Sequence, residues 1–301
     1  MRYNSLNNYL KTKFGKKVYK LSLDGGFTCP NRDGTLGTRG CIFCSASGSG
    51  DFASSRNLSI TQQIEMAKLK VRSKTNDNSF IAYFQAFTNT YAPVSVLKGK
   101  YTEAINHKDI VALSIATRPD CISDEVLDLL IELNKIKPVW VELGLQTTKE
   151  SSVEYIRRGY ENEVYVDTAQ KLRIAGIEVI THIILGLPNE TKEDMLSSVK
   201  FAGKYSDGIK LQLLHILKGT DLCTDYEKGE FKALTLDEYV DILCDAVEIL
   251  PENVIIHRLT GDGDKKLLVA PLWSGNKKNV LNTINKTFEE RNVLQGRKSE
   301  I

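Results

Sequence analysis

Val111-Ala-Leu-Ser-Ile-Ala116, then Ser123-Asp-Glu-Val-Leu-Asp-Leu-Leu-Ile-Glu-Leu-Asn-Lys-Ile136, then Val139-Trp-Val-Glu-Leu-Gly-Leu145: the reading of these three runs decides the fold class. The first is short and almost free of polar alternation, as strands are when helices cover their outer face, and the third is a second short apolar, β-branched run. The middle run repeats its apolar residues with helical period. It opens on Ser123, an N-cap residue followed by two acids. A strand, a helix and a second strand within so short a span imply parallel pairing through a right-handed crossover.

Working outward, the same unit recurs. Strands are expected at 18–23, 80–85, 178–185, 208–214 and 254–259, with helices at 61–74, 94–106, 162–175, 192–204 and 235–250. Thr61 and Thr235 read as further N-caps. An open doubly wound sheet and a full or partial barrel both satisfy this α/β pattern. Residues 1–20 read as an appended basic N-terminal arm, 21–262 as the core domain and 263–301 as a C-terminal helical extension, with a final helix at 276–292. No internal repeat interrupts the pattern.

The composition allows a large core. Of 301 residues, 42% are apolar and 26% charged, inside the globular range, which excludes a disordered or collagen-like chain. Forty Lys+Arg against 38 Asp+Glu leave a net charge of +2, so only local clustering can speak of partners. The first twenty residues lack the apolar core of a secretory signal, and no apolar run approaches the ~18 residues of a membrane span. The expected location is cytoplasmic, with no membrane partner.

Six cysteines are too few for a disulfide scaffold, yet Cys29, Cys41 and Cys44 fall together as C-x11-C-x2-C just after the first strand. Cys121, Cys223 and Cys244 are scattered and read as small buried hydrophobes. Three chemistries fit the cluster. Structural zinc wants four ligands, and a second knuckle is missing. A redox pair at Cys41 and Cys44 normally opens a helix after a strand and leaves Cys29 unexplained. A [4Fe-4S] cluster on three thiolates leaves one iron open to a small molecule.

The loop Cys29-Pro-Asn-Arg-Asp-Gly-Thr-Leu-Gly-Thr-Arg-Gly-Cys41-Ile-Phe-Cys44 resembles the cluster loop of the radical SAM superfamily. More narrowly it resembles the YtqA/YhcC branch, related to the elongator-catalytic-subunit and coproporphyrinogen-oxidase types. The x11 spacing departs from the common C-x3-C-x2-C but suits this branch, as does Phe43. Four further segments carry the likeness: Ala116-Thr117-Arg118-Pro-Asp120, Gly144-Leu-Gln146, Arg157-Arg-Gly-Tyr160 and Gly186-Leu-Pro188-Asn-Glu-Thr191.

The resemblance implies a partial (β/α)6 TIM-type barrel holding a [4Fe-4S] cluster on Cys29, Cys41 and Cys44, with S-adenosyl-L-methionine bound beside it. It implies cofactor contacts from Phe43 and from Gln146 near the ribose, with Arg158 pairing the methionyl carboxylate. Gln85 and Asn89 stand where relatives carry a Gly-Gly-Glu turn, so the acid of that turn has no match. His182 stands where some relatives carry a ribose-binding Asp. Period two along the fourth strand independently puts Glu142, Gly144 and Gln146 on one face, fitting a polar barrel interior. Thr117, Arg118, His182 and Lys218 are the expected catalytic, substrate-side residues, with His215 and Arg258 at neighbouring strand ends.

The implied activity is reductive cleavage of S-adenosylmethionine to a 5′-deoxyadenosyl radical, with an electron donor such as flavodoxin or ferredoxin. The implied substrate is tRNA, at the wobble uridine side chain, where carboxymethylaminomethyl is converted towards aminomethyl. A radical SAM enzyme acting on a protein or small metabolite is the alternative. A zinc-stabilised RNA-binding module is the non-enzyme alternative. Basic residues from Arg2 to Lys20, a second run at Lys68, Lys70, Arg72 and Lys74, and Arg291, Arg297 and Lys298 are expected to track the phosphate backbone past the active-site mouth.

Overall fold

A computed structural model describes residues 2–48, 50, 53–73, 75, 77–261 and 263–300; Lys74 and Asp262 lie outside the described residues. Seven parallel strands stand in chain order: β1 (Tyr19–Leu23), β2 (Phe80–Phe84), β3 (Ile110–Thr117), β4 (Val139–Gln146), β5 (Glu178–Leu185), β6 (Gly208–Leu213) and β8 (Ile255–Arg258). β1 and β8 are not hydrogen-bonded to each other, so the sheet curls into a partial barrel, open along one side. An antiparallel pair, β7 (Ile216–Leu217) and β9 (Leu268–Ala270), stands apart from it.

The crossover helices are α2 (Ile60–Val71), α3 (Val94–Asn106), α4 (Asp124–Asn134), α6 (Asn162–Ile174), α7 (Lys192–Tyr205) and α9 (Leu236–Ile249). In α4 the buried residues Val126, Leu129, Leu130 and Leu133 recur at the spacing of one helix face, and Ser123 caps the helix as expected. Thr235 caps α9, whereas the cap of α2 is Ser59, in a capping box with Gln62, two residues before the expected Thr61. Outward-facing strand residues such as Val141, Leu143 and Leu145 join these helix faces in one core. Each such buried aliphatic side chain contributes about 1.5–3 kcal/mol.

The first twenty residues are not an extended arm. Leu6–Phe14 form helix α1, capped by Ser5 and ended by Gly15 in the left-handed conformation (φ 69°). Ser5 bridges to Ile256, Tyr9 donates to Glu178 at the start of β5, and Lys13 pairs with the same carboxylate. Leu10 packs with Val18, Ile81, Ala112, Trp140 and Ile180, the lowest inward-facing layer of the barrel. The helix therefore plugs the N-terminal mouth, away from the loops that follow the strands.

Short elements complete the chain: α5 (Glu150–Tyr155), α8 (Asp221–Glu227) and the final helix α10 (Lys277–Glu290). No helix among the described residues is long and apolar enough to cross a membrane.

Candidate active site

The parallel strands send alternate side chains into the barrel, and above the apolar layer most of these are polar. Tyr83, Gln85, Glu142, Gly144, His182, Lys210, Gln212 and Arg258 line a cavity of about 250 Å³ that opens toward the strand C-terminal ends. Cys29, Cys41 and Cys44 line its upper wall together with Phe43, Thr117, Arg118, Gln146 and Arg158. The sequence-expected face of β4 is thus the cavity face.

The cysteine loop is held by its own side chains. Asn31 donates to Cys41 Sγ (3.4 Å) and to the Arg157 carbonyl (2.7 Å). Arg32 donates to the carbonyls of Cys44 (3.0 Å) and Ser45 (2.6 Å). Gly40, with φ 76°, leaves room for that guanidinium: a Cβ there would lie 2.8 Å from Arg32 Nε. Burial, reinforced by Cys44, pushes the Cys41 thiol up to about 12, so deprotonation there needs a bound metal.

Three thiols gathered on one cavity suit a cube with thiolates on three irons and the fourth iron left open, whereas a closed tetrahedral zinc site wants a fourth ligand. Among the described residues Glu65, His107 and Asp109 bring three ligand atoms within 4.8 Å of one another, but there the Lys68 ammonium already bonds both carboxylates.

Gln146 ends β4 in the left-handed conformation (φ 68°), uncommon for a residue with a side chain, and its buried Oε1 has no hydrogen-bond partner. Gly144 leaves room for that amide where it lies, since a Cβ there would come 2.7 Å from Gln146 Nε2. Tyr160 donates its hydroxyl to the Gly144 carbonyl. An orphaned amide oxygen in a cavity wall fits a ligand hydroxyl.

Three expected roles change. Arg158 gives Nε to the Tyr160 carbonyl, Nη1 to the Leu145 and Thr147 carbonyls (3.0 and 2.8 Å), and Nη2 to Tyr160 O and Asn162 Oδ1. All five donors are taken, so none remains for a carboxylate; the residue fixes the end of β4. Asn89, fully buried, donates to the Phe84 and Ala116 carbonyls and ties β2 to β3 behind the cavity wall. Lys218 is exposed beyond β7 and does not line the cavity, although its neighbour Leu217 does. Arg118 lines it and is held in a bidentate pair by Asp120 (2.9 and 2.7 Å) over the Tyr160 ring. Thr117 shares a hydrogen bond with Thr90 (2.5 Å). Cys223 and Cys244 are buried as expected; Cys121 is only half-buried, beside Asp120.

The cavity floor joins two expected residues, Glu142 and His182, to two that were not foreseen, Lys20 and Lys210. Glu142, with no exposed side chain, accepts from Lys20 (2.5 Å), Ser114 (2.5 Å), His182 Nε2 (2.7 Å) and Lys210. Burial pushes its carboxyl up, but the two lysines and His182 outweigh this and hold it well below the usual range. Burial first, then Lys210, pushes His182 down to about 4, so the ring is neutral at pH 7. With Nε2–H donated to Glu142, Nδ1 accepts from Gln212 (3.4 Å). The signal for Lys20 and Lys210 was present in the alternation of β1 and β6, where Lys20/Ser22 and Lys210/Gln212 share the inward face.

The family model described as Radical SAM superfamily matches residues 34–202, and that described as Radical_SAM C-terminal domain matches 206–290. The chain is 49% identical over 297 residues to the protein YtqA of Bacillus subtilis, covering 98% of this chain and 92% of that one. It is 27% identical over 200 residues to a tRNA uridine(34) acetyltransferase of Methanocaldococcus jannaschii, covering 65% of this chain and 36% of the relative. In fold it is similar to the archaeal Methanocaldococcus infernus Elp3 with an N-terminal deletion, at a TM-score of 0.71 and 19% identity, over 92% of this chain and 64% of that one.

Proposed function

This chain belongs to the radical SAM superfamily, and we propose that it acts in the cytoplasm on tRNA, at the wobble uridine, converting a carboxymethylaminomethyl side chain towards aminomethyl. It is a radical SAM enzyme, with a [4Fe-4S] cluster and S-adenosylmethionine as cofactors. The observation that carries the site assignment is the gathering of Cys29, Cys41 and Cys44 on a cavity that continues into the barrel. The tRNA substrate is supported by the relative named for acetylation of tRNA uridine 34.

Cys29, Cys41 and Cys44 would hold three irons and leave the fourth to the amino and carboxylate groups of S-adenosylmethionine. When bound and reduced by a donor such as flavodoxin or ferredoxin, these cofactors supply a 5′-deoxyadenosyl radical that abstracts hydrogen from substrate. The chain's own residues do the rest. Phe43 and Gln85 flank the cofactor space, Gln146 offers its free amide oxygen to a ribose hydroxyl, and Arg158 positions Gln146 through the backbone. Thr117 and Arg118 face the substrate side, while His182 stays neutral on Glu142. The apolar layer around Trp140 and the α1 plug keep water from entering below. Beyond the Ser5–Ile256 bridge, β1 and β8 do not pair with each other, which would leave a side opening for a macromolecular substrate. The core unit would begin with β1 at Tyr19, two residues before the expected 21, since the sheet runs unbroken from there to Arg258.

Deletion of the gene followed by nucleoside analysis of total tRNA tests this reading. The expected result is accumulation of 5-carboxymethylaminomethyluridine derivatives with loss of the aminomethyl-derived ones. Unchanged tRNA nucleosides would direct the chemistry to a protein or metabolite instead.

A further inference from the structure

Two ammonium groups share one carboxylate on the cavity floor. Lys20 on β1 and Lys210 on β6 reach Glu142 from opposite sides and lie over the same Tyr83 ring, at 4.9 and 4.6 Å. Lys210 also bonds the Tyr83 hydroxyl (3.2 Å). The other partners of Glu142 add no charge: Ser114 is a hydroxyl and His182 is neutral. A single anion cannot neutralise two cations, and a surplus buried charge is costly unless something pairs with it. Burial, with Lys20 and Arg258 close by, pushes Lys210 down to about 7, so a bound anion beside it would complete its protonation.

We propose that Lys210, backed by Lys20, receives a carboxylate of the substrate and selects for substrates that carry one. This deepens the wobble-uridine reading and rests on it, because the carboxymethylaminomethyl side chain ends in a monoanionic carboxylate that matches the surplus charge. Lys210 lines the cavity, so the group is reachable from above. The other carboxylate at hand is the methionyl group of S-adenosylmethionine, which is tethered at the cysteine end. Glu142, to which Lys210 is bonded, lies four residues before Gln146, roughly 13 Å down the strand, so the floor serves the group that reaches deepest.

The experiment compares binding of 5-carboxymethylaminomethyluridine with 5-aminomethyluridine, and of N-benzylglycine with benzylamine, to the cluster-loaded protein with S-adenosylmethionine present. Wild type favours the carboxylate member of each pair. Lys210→Met loses that preference, by about tenfold or more, with S-adenosylmethionine affinity unchanged. Lys210→Arg restores part of it, and Glu142→Gln, which removes the competing anion, tightens carboxylate binding. Both Lys210→Met and Glu142→Gln break the same buried pair, so a merely structural role moves them together; opposite signs are peculiar to charge recognition. If N-benzylglycine binds through Lys210 while neither nucleoside binds, the anion site stands and the wobble reading falls. If no carboxylate probe is preferred, if the two variants shift binding in the same direction, or if Lys210→Met weakens S-adenosylmethionine in parallel, the proposal is overturned.

Discussion

Arg158 donates all five N–H groups to oxygens of its own chain, and its replacement by Lys leaves several buried carbonyls unsatisfied. Arg158→Lys is expected to cost about 2–4 kcal/mol in denaturant unfolding, with any loss of S-adenosylmethionine affinity following from that. Wild-type stability with weakened cofactor binding would instead return Arg158 to carboxylate pairing. His182 makes a pH prediction. Its folded pKa, about 4, lies below the ~6.5 of the unfolded chain, so its contribution is complete above pH 6.5 and is lost as pH falls toward 4. Glu142, held low, contributes in the other window, losing stability only below the unfolded carboxylate value. Denaturation midpoints of wild type should therefore decline from pH 6.5 to 4.5, and those of His182→Gln should decline less; parallel curves would contradict this. Motif likeness located Cys29, Cys41, Cys44 and Gln146, which the structure gathers on one cavity. It misplaced Arg158 because a guanidinium suited to a carboxylate is equally suited to carbonyls, and no linear pattern tells the two apart.

At the scale of elements, α1 changes the account of charge. Its basic side chains lie at the N-terminal mouth, and Lys13 already pairs with Glu178. The exposed lysines near the cavity are Lys218, Lys265 and Lys266, around the β7–β9 pair whose Leu217 and Gly263 line it. Neutralising Lys218, Lys265 and Lys266 should lower the salt slope of tRNA binding by about 2, whereas neutralising Lys11, Lys16 and Lys17 should leave it unchanged. The reverse pattern would place the RNA at the other end. Leu10→Ala should cost about 2–4 kcal/mol by opening a void beneath Trp140. The strands and crossover helices were legible because their apolar periods are strong. Helix α1 was not: its polar run Asn7-Asn8 and its lysines drew attention to charge, although Ser5 and Gly15 marked its two ends. Likewise Ser59 and Gln62 spell the capping box of α2, but Thr61 lies nearer the apolar run.

Across the whole molecule the chain order of the strands brings a loop from the first, a turn from the fourth and lysines from the first and sixth around one cavity. The interior grades from apolar at the α1 plug, through a charged layer at Glu142, to thiols at the open end. That gradient could be drawn from alternation within each strand once the barrel was assumed, but the pairing of Lys20 with Glu142, 122 residues away, needed the curl of the sheet. The central claim is that the thiols at the top hold a cluster. Iron, sulfide and zinc are to be measured in anaerobically purified chain and in its Cys41→Ala and Cys121→Ala variants. The account predicts about four irons and four sulfides per chain in wild type and Cys121→Ala, lost together with the visible absorption in Cys41→Ala. One zinc per chain with no sulfide, or full iron content in Cys41→Ala, would contradict it.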